Sequence, residues 1–237
     1  MKKRVLAAVL CASAMAMTAC GGSSSSADTK AACALTADAV ACGADALLAI
    51  TPYCNKGTAD GILEHYRRIA DAASGRPVIL YNIPSRTGVN LTEAQYAALA
   101  GIPNIRAVKE ASGSMAKLTR LCADGRLTVY SGNDDQILPV AALGGRGVIS
   151  VLSNLAPAAV SAMAHAAVDG DFDTARHLAY KYARLISLLF AETNPAPLKY
   201  AMELLGLSQG ELRLPLAEVG DGLKTALREE LTALGML

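Results

Sequence analysis

The 237 residues contain no tryptophan and only two phenylalanines, and aromatic residues together make up 4% of the chain. Stacking platforms for nucleobases or sugar rings are therefore not expected. An excess of charge of either sign is also missing. Lys and Arg number 22 against 21 Asp and Glu, a formal net charge of +1, which gives no electrostatic footprint for nucleic acid. There are three histidines, His65, His165 and His177, far apart in sequence. The six cysteines, at 11, 20, 33, 42, 54 and 122, form no CxxC pair, so nothing has the ligand spacing of a dedicated metal site. They lie mostly in apolar contexts and read as buried free thiols. What the chain has in quantity is apolar residues, 52% against 18% charged. At this length that predicts a sizeable core, in one large α/β domain or two small ones, and excludes disorder.

The N-terminus reads "MKKRVLAAVLCASAMAMTACGGSSSS". A basic start leads into an apolar stretch too short to span a bilayer, and small residues then approach Cys20. Residues 1–20 have the pattern of a secretory leader; "MTAC" resembles a bacterial lipoprotein signal in which Cys20 is lipidated. The alternative is an extension without a targeting role. Residues 21–34 read as a Gly/Ser-rich linker.

From about residue 35 the composition changes. Five apolar, β-branched runs recur: "ALLAITPY" (46–53), "PVILYNIP" (77–84), "IRAVKEA" (105–111), "LTVYSGND" (127–134) and "GVISVLSN" (147–154). Each reads as a strand apolar on both faces, as in a parallel sheet covered by helices. Helix-like segments lie between them, among them "TADGILEHYRRIADAAS" and "LTEAQYAALA", which opens with a Thr-Glu capping pattern. Strand alternating with helix predicts βα units, barrel-like or doubly wound, over 35–170. Residues 171–237 read as a helical C-terminal region.

In parallel βα proteins, functional groups collect at the C-terminal ends of strands. Those ends carry Thr51, Tyr53 and Cys54; Tyr81, Asn82, Ser85 and Arg86; Lys109 and Glu110; Ser131, Asn133 and Asp134; Ser153 and Asn154. A strand-end lysine among apolar walls has its charged form disfavoured, and a neutral amine attacks a carbonyl carbon to give a Schiff base. Lys109 fits that role; it also fits a lysine that reaches solvent or pairs with Glu110. Tyr81 offers a phenol for proton transfer, or is a core tyrosine. Arg86 offers a bidentate grip on a carboxylate, or holds its loop. Asn133 and Asp134 read as caps of the next helix. "LGGRG" (143–147) is too weak a phosphate-loop signal to support nucleotide binding, and Lys199 reads as structural.

Taken together, "GADALLAITPYCNKG", "PVILYNIPSRTG", "IRAVKEASG", "YSGNDD", "GGRGVISV" and "ETNPAPLK" resemble the dihydrodipicolinate synthase / N-acetylneuraminate lyase family of pyruvate-dependent aldolases, in family order and spacing. The resemblance implies a TIM (β/α)8-type barrel, here N-terminally truncated with about five strands retained, and a C-terminal helical extension. It implies that Lys109 forms a Schiff base with pyruvate, that Tyr81 shuttles protons to and from the adduct, and that the backbone carbonyl of Ile149 lies against the pyruvate. No cofactor is implied beyond that covalent adduct. Arg86 resembles the arginine of the synthase branch, which binds the carboxylate of aspartate semialdehyde. The implied reaction is condensation of that aldehyde with pyruvate in lysine and diaminopimelate biosynthesis. It further implies a cytoplasmic homo-oligomer, a tetramer, with contacts near Tyr53; the leader implies instead an exported, anchored chain.

Two departures bear on activity. Cys54 stands where the family has a second tyrosine that completes a proton relay. The family's "GTTGE" loop, whose threonines bind the pyruvate carboxylate, has no counterpart in the sequence. The expectation is a weakly active or inactive chain. Two further readings stand beside it: a non-catalytic remnant or fusion behind a lipoprotein leader, and an aldolase of the same family with another aldehyde.

Overall fold

The computed structural model describes residues 26–237, and two compact units divide them: residues 26–133 with 143–149, and residues 134–142 with 150–237. The first unit opens with α1 (Thr29–Ala41). The Asp28 side chain caps it, accepting the Ala31 amide at 2.7 Å. The helix therefore begins inside the stretch read as linker. Serine and glycine composition masked an N-cap followed by an alanine-rich, helix-forming run.

The strands β1 (Leu47–Ile50), β2 (Val78–Asn82), β3 (Ile105–Glu110), β4 (Thr128–Ser131) and β5 (Gly147–Val148) form one parallel sheet in chain order. Between them lie α2 (Ala59–Ala72), the single turn α3 (Pro84–Thr87), α4 (Glu93–Leu99) and α5 (Met115–Asp124). Leu47, Ala49, Val78, Leu80 and Val108 are wholly buried in the sheet, as the two-sided apolar runs predicted. Each Leu or Val so buried contributes about 1.5–3 kcal/mol relative to exposure. Ile62, Tyr66 and Ile69, at helical spacing on α2, are buried too, and the Tyr66 hydroxyl donates to the Ala49 carbonyl at 3.3 Å. The α4 cap is a box between Thr92 and Gln95; Glu93, the acid the sequence suggested, sits in the first turn instead.

The fifth strand is shorter than its apolar run, ending at Val148, and residues 152–154 form a 3₁₀ turn. Asp134 explains part of this: its Oδ2 accepts the amides of Val151 and Leu152, both at 3.0 Å, and so turns the chain into that 3₁₀ segment. Asp134 thus caps the turn at 152.

The second unit contains α6 (Ile137–Ala142), α7 (Pro157–Asp169), α8 (Phe172–Leu189), α9 (Ala196–Leu204) and α10 (Asp221–Ala233), with Met163, Leu185, Leu189, Leu227 and Leu231 in its core. The boundary expected at 170/171 falls inside an α7–α8 hairpin. Gly170 ends α7 at φ 86° and Asp171 caps α8 on the Thr174 amide at 3.1 Å. Lys199 donates to the Glu211 carbonyl, the structural role expected of it. The cysteines depart from expectation: Cys42 and Cys54 are exposed and Cys33 and Cys122 half-buried, all free thiols. Helix ends and loop tips overrode their apolar sequence context. Among the described residues no helix is long and apolar enough to cross a membrane. The proposed lipidation site, Cys20, lies outside the described residues.

His65 on α2 is almost fully buried. Its Nδ1 lies 2.9 Å from the Thr29 hydroxyl and its Nε2 has no partner. Burial pushes its pKa below the usual histidine value, against a weaker opposing pull from Asp28. The neutral ring is the form that folds, so its contribution is intact above the unfolded pKa of about 6.5 and is lost as pH falls below it. Denaturant unfolding as a function of pH should show stability falling below about pH 6.5 with a slope of up to about 1.4 kcal/mol per pH unit from this group, and His65→Gln should flatten that limb.

Candidate active site

Parallel pairing aligns residues across the sheet into rows. One row near the C-terminal ends runs Ile50, Tyr81, Lys109, Tyr130, Gly147; the next runs Asn82, Glu110, Ser131, Val148. Successive residues of a strand face opposite sides, so Tyr81 and Lys109 share one face while Asn82 and Glu110 share the other. The Lys109 Nζ lies 4.2 Å from the centroid of the Tyr81 ring. Burial raises the pKa of the Tyr81 phenol, partly offset by Arg86. The amine and the phenol that the sequence singled out are thus neighbours.

Arg86 is exposed on α3, immediately after β2. Its turn is anchored from below. The buried Thr51 hydroxyl, just past β1, donates to the Thr87 hydroxyl at 3.0 Å, and Thr87 donates to the carbonyls of Ile83 and Val89, both at 3.1 Å. The Cys54 amide donates to the Thr87 carbonyl at 3.2 Å, which ties the loop carrying Tyr53 and Cys54 to the same turn. Cys54 adopts φ 69°, a left-handed conformation that strains a residue with a Cβ. Tyr53 is 39% exposed on that loop.

On the other flank, the Ile149 amide donates to the Ser131 carbonyl at 2.9 Å, continuing the β4–β5 ladder by one residue. Asn133 is held in an ST turn: the Ser131 hydroxyl accepts its amide at 3.1 Å and donates to its carbonyl at 2.7 Å. Ser153 and Asn154 belong to the second unit, where Ser153 donates to the Ser150 carbonyl at 3.1 Å and Asn154 to the Val151 carbonyl at 2.9 Å.

Sequence reasoning missed two residues, Tyr130 and Gly132. Tyr130 flanks Lys109 from β4 in the row that holds Tyr81, and burial raises its phenol pKa. No local signal marks it, because the row depends on the β3–β4 register. Gly132 follows β4, where its amide donates to the Glu110 carbonyl at 2.8 Å. A Cβ there would meet the Ala111 Cβ at 2.5 Å. Glu110 is among the strand-end residues the sequence offers, with pairing to Lys109 as one alternative. It is fully buried and accepts from Asn82, Tyr96 and Ser112.

The parallel sheet thus presents an amine and a phenol side by side near its C-terminal edge, the end at which βα-barrel enzymes carry their active sites. The dihydrodipicolinate synthetase family matches residues 10–234. The match takes in most of the stretch read as leader and linker. The chain is 46% identical over 213 residues to the 4-hydroxy-tetrahydrodipicolinate synthase of Methanothrix thermoacetophila, covering 89% of this chain and 72% of that one. Among solved structures, the dihydrodipicolinate synthase from Aquifex aeolicus superposes with TM-score 0.88 at 39% identity, covering 90% of this chain and 74% of that one. The chloride-inhibited synthase from Acinetobacter baumannii complexed with pyruvate gives 0.87 at 39% identity, covering 91% and 74%. The chain belongs to the dihydrodipicolinate synthetase family. Its five parallel described strands are part of a TIM-type barrel, and it is an enzyme of the lyase class. The family works through a pyruvate Schiff base on a lysine and needs no external cofactor.

The close approach at Gly132 makes a specific expectation. Gly132→Ala should cost about 1–3 kcal/mol in denaturant unfolding through overpacking. Adding Ala111→Gly, which removes the clashing methyl, should recover part of that loss; the Glu110 carbonyl oxygen at 3.1 Å and the Ala111 Cα at 3.2 Å remain close to the new Cβ.

Proposed function

We propose that the chain acts as a 4-hydroxy-tetrahydrodipicolinate synthase, condensing pyruvate with aspartate semialdehyde through a Schiff base on Lys109. The observation that supports this most is the Lys109 Nζ over the Tyr81 ring at 4.2 Å, at the C-terminal edge of the sheet. The neutral amine attacks the keto carbon of pyruvate, and loss of water gives the iminium. Tyr81 takes part in the proton transfers of that dehydration; loss of a methyl proton then leaves the enamine. The enamine carbon attacks the aldehyde, and the new C–C bond regenerates the iminium. The amino group of the former semialdehyde then attacks the iminium carbon, closing the ring and expelling the Lys109 amine. One water leaves overall. Arg86, exposed on an anchored turn, grips the semialdehyde carboxylate. The Ile149 carbonyl, on the β5 side, lies against the bound pyruvate.

The same reading places the chain in the cytoplasm, where both substrates are made. It also makes the chain a homo-oligomer, with the exposed Tyr53–Cys54 loop in the contact. Asn133 and Cys54 border the site without an assigned step. The 237 residues contain no GTTGE segment, and for these residues by themselves we infer adduct formation with weak condensation. The likeness to the synthases favours an enzyme over a remnant.

Incubation with pyruvate and borohydride followed by peptide mass spectrometry should place a reduced pyruvyl adduct on Lys109. The adduct should be absent in Lys109→Arg and form at least about 10²-fold more slowly in Tyr81→Phe. Arg86→Ala should leave the adduct rate unchanged and raise the semialdehyde concentration needed for condensation. No adduct, or one on another lysine, would defeat the assignment.

A further inference from the structure

Behind the row that holds Tyr81 and Lys109, the structure contains a second constellation that no step of the proposed reaction uses. Glu110 follows Lys109 directly and is 0% exposed. Its Oε1 accepts the Asn82 side-chain amide at 3.0 Å and the Ser112 backbone amide at 2.8 Å. Its Oε2 accepts the same Asn82 amide at 3.0 Å and the Tyr96 hydroxyl at 2.6 Å. Every partner is a donor, so the site is built for a carboxylate. Asn82, also 0% exposed, follows Tyr81 directly. Its other amide hydrogen goes to Asn90 at 3.1 Å, and its carbonyl oxygen accepts the Leu91 amide at 3.1 Å. Lys117 closes the shell from α5, donating to Asn90 and, at 2.6 Å, to the Leu91 carbonyl.

The sheet needs such a device at this place. The β2–β3 register is broken near its start: Val78 pairs with Ile105 but Ile79 pairs with Ala107, leaving Arg106 as an extra, exposed residue. An irregularity of this kind leaves the downstream register underdetermined by backbone pairing alone. A slip of one residue would turn Lys109 into the helical layer and Glu110 onto the reactive face. The Asn82–Glu110 contact exists only in the register that pairs Tyr81 with Lys109. The backbone supports it from both sides: the Ala111 amide donates to the Asn82 carbonyl at 2.9 Å and the Gly132 amide to the Glu110 carbonyl at 2.8 Å.

We propose that Asn82 and Glu110 are positioning residues for the reaction, a buried amide–carboxylate clamp that fixes the register in which the Tyr81 phenol and the Lys109 amine stand side by side. The inference rests on the role assigned to Lys109 and deepens it. Misplacing a reacting group by a fraction of a side chain costs rate far more than it costs binding.

The test is the borohydride-trapped adduct rate as a function of pyruvate concentration. In Glu110→Gln the maximal trapping rate should fall about 10–100-fold, while the half-saturating pyruvate concentration stays within about twofold. Asn82→Asp, which sets two carboxylates together, should do the same. The swap Asn82→Asp with Glu110→Gln, which restores a carboxylate facing an amide but leaves the Tyr96 hydroxyl and the Ser112 amide one amide oxygen to share, should recover part of the rate; a loss due only to general destabilisation would add instead. Tyr96→Phe, which keeps the ring and removes one donor, is the milder variant should Glu110→Gln not fold, and should slow trapping about threefold or more. Amide hydrogen exchange provides a readout independent of chemistry. Protection at Ala111 and Leu91 should fall at least about tenfold in Glu110→Gln and return in part in the swap. Wild-type trapping rates in the single variants, or unchanged protection at those amides, would overturn the clamp. Absence of any adduct in the wild-type chain would instead defeat the Schiff-base reading, and the exchange data would still decide the clamp.

Discussion

Two residues of opposite charge stand next to each other at the end of β3, and the pleat of the sheet sends them to opposite faces. A full carboxylate in a buried layer is tolerated only where donors surround it, and Asn82, Tyr96 and Ser112 do so for Glu110. With the anion secured on one side, the amine of Lys109 has only the other face to occupy. There it meets the Tyr81 ring. Slippage of one residue would strand Glu110 without its donors, so the buried polar network also guards the identity of the reactive face.

The rest of the sheet supports that arrangement from its edges. Thr51 and Thr87 stitch the end of β1 to the turn that carries Arg86, and the Cys54 amide binds the neighbouring loop to the same turn. On the far side, Gly132 lets the chain after β4 come within hydrogen-bond reach of the Glu110 carbonyl, a position a side chain would deny it. Apolar burial along β1, β2 and β3 makes the strands form. The polar contacts at their ends determine which residues stand opposite one another.

Much of the fold was legible in the sequence because parallel strands covered on both faces leave an unmistakable trace, runs such as "PVILYNIP" that are apolar without alternation. All five strand runs lie where observed strands lie, and Tyr81 and Lys109, both singled out from strand ends, pair across β2 and β3. What the sequence hid was tertiary. Tyr130 gains its place beside Lys109 only through the β3–β4 register, and the donors around Glu110 come from β2, α4 and the loop after β3. Local composition also misled. The serines ahead of Asp28 concealed a helix cap, apolar neighbours suggested buried thiols where Cys42 and Cys54 are exposed, and the fifth apolar run ends as a 3₁₀ turn because Asp134 takes its amides.

The most direct test of the account is a crystal structure of the chain soaked with pyruvate. Continuous density from the Lys109 Nζ to the keto carbon, with the Tyr81 hydroxyl on the same face and Glu110 still enclosed by Asn82 and Tyr96 behind the sheet, is the predicted result. Pyruvate bound away from Lys109, or a β3 in which Lys109 faces the helices, would contradict it.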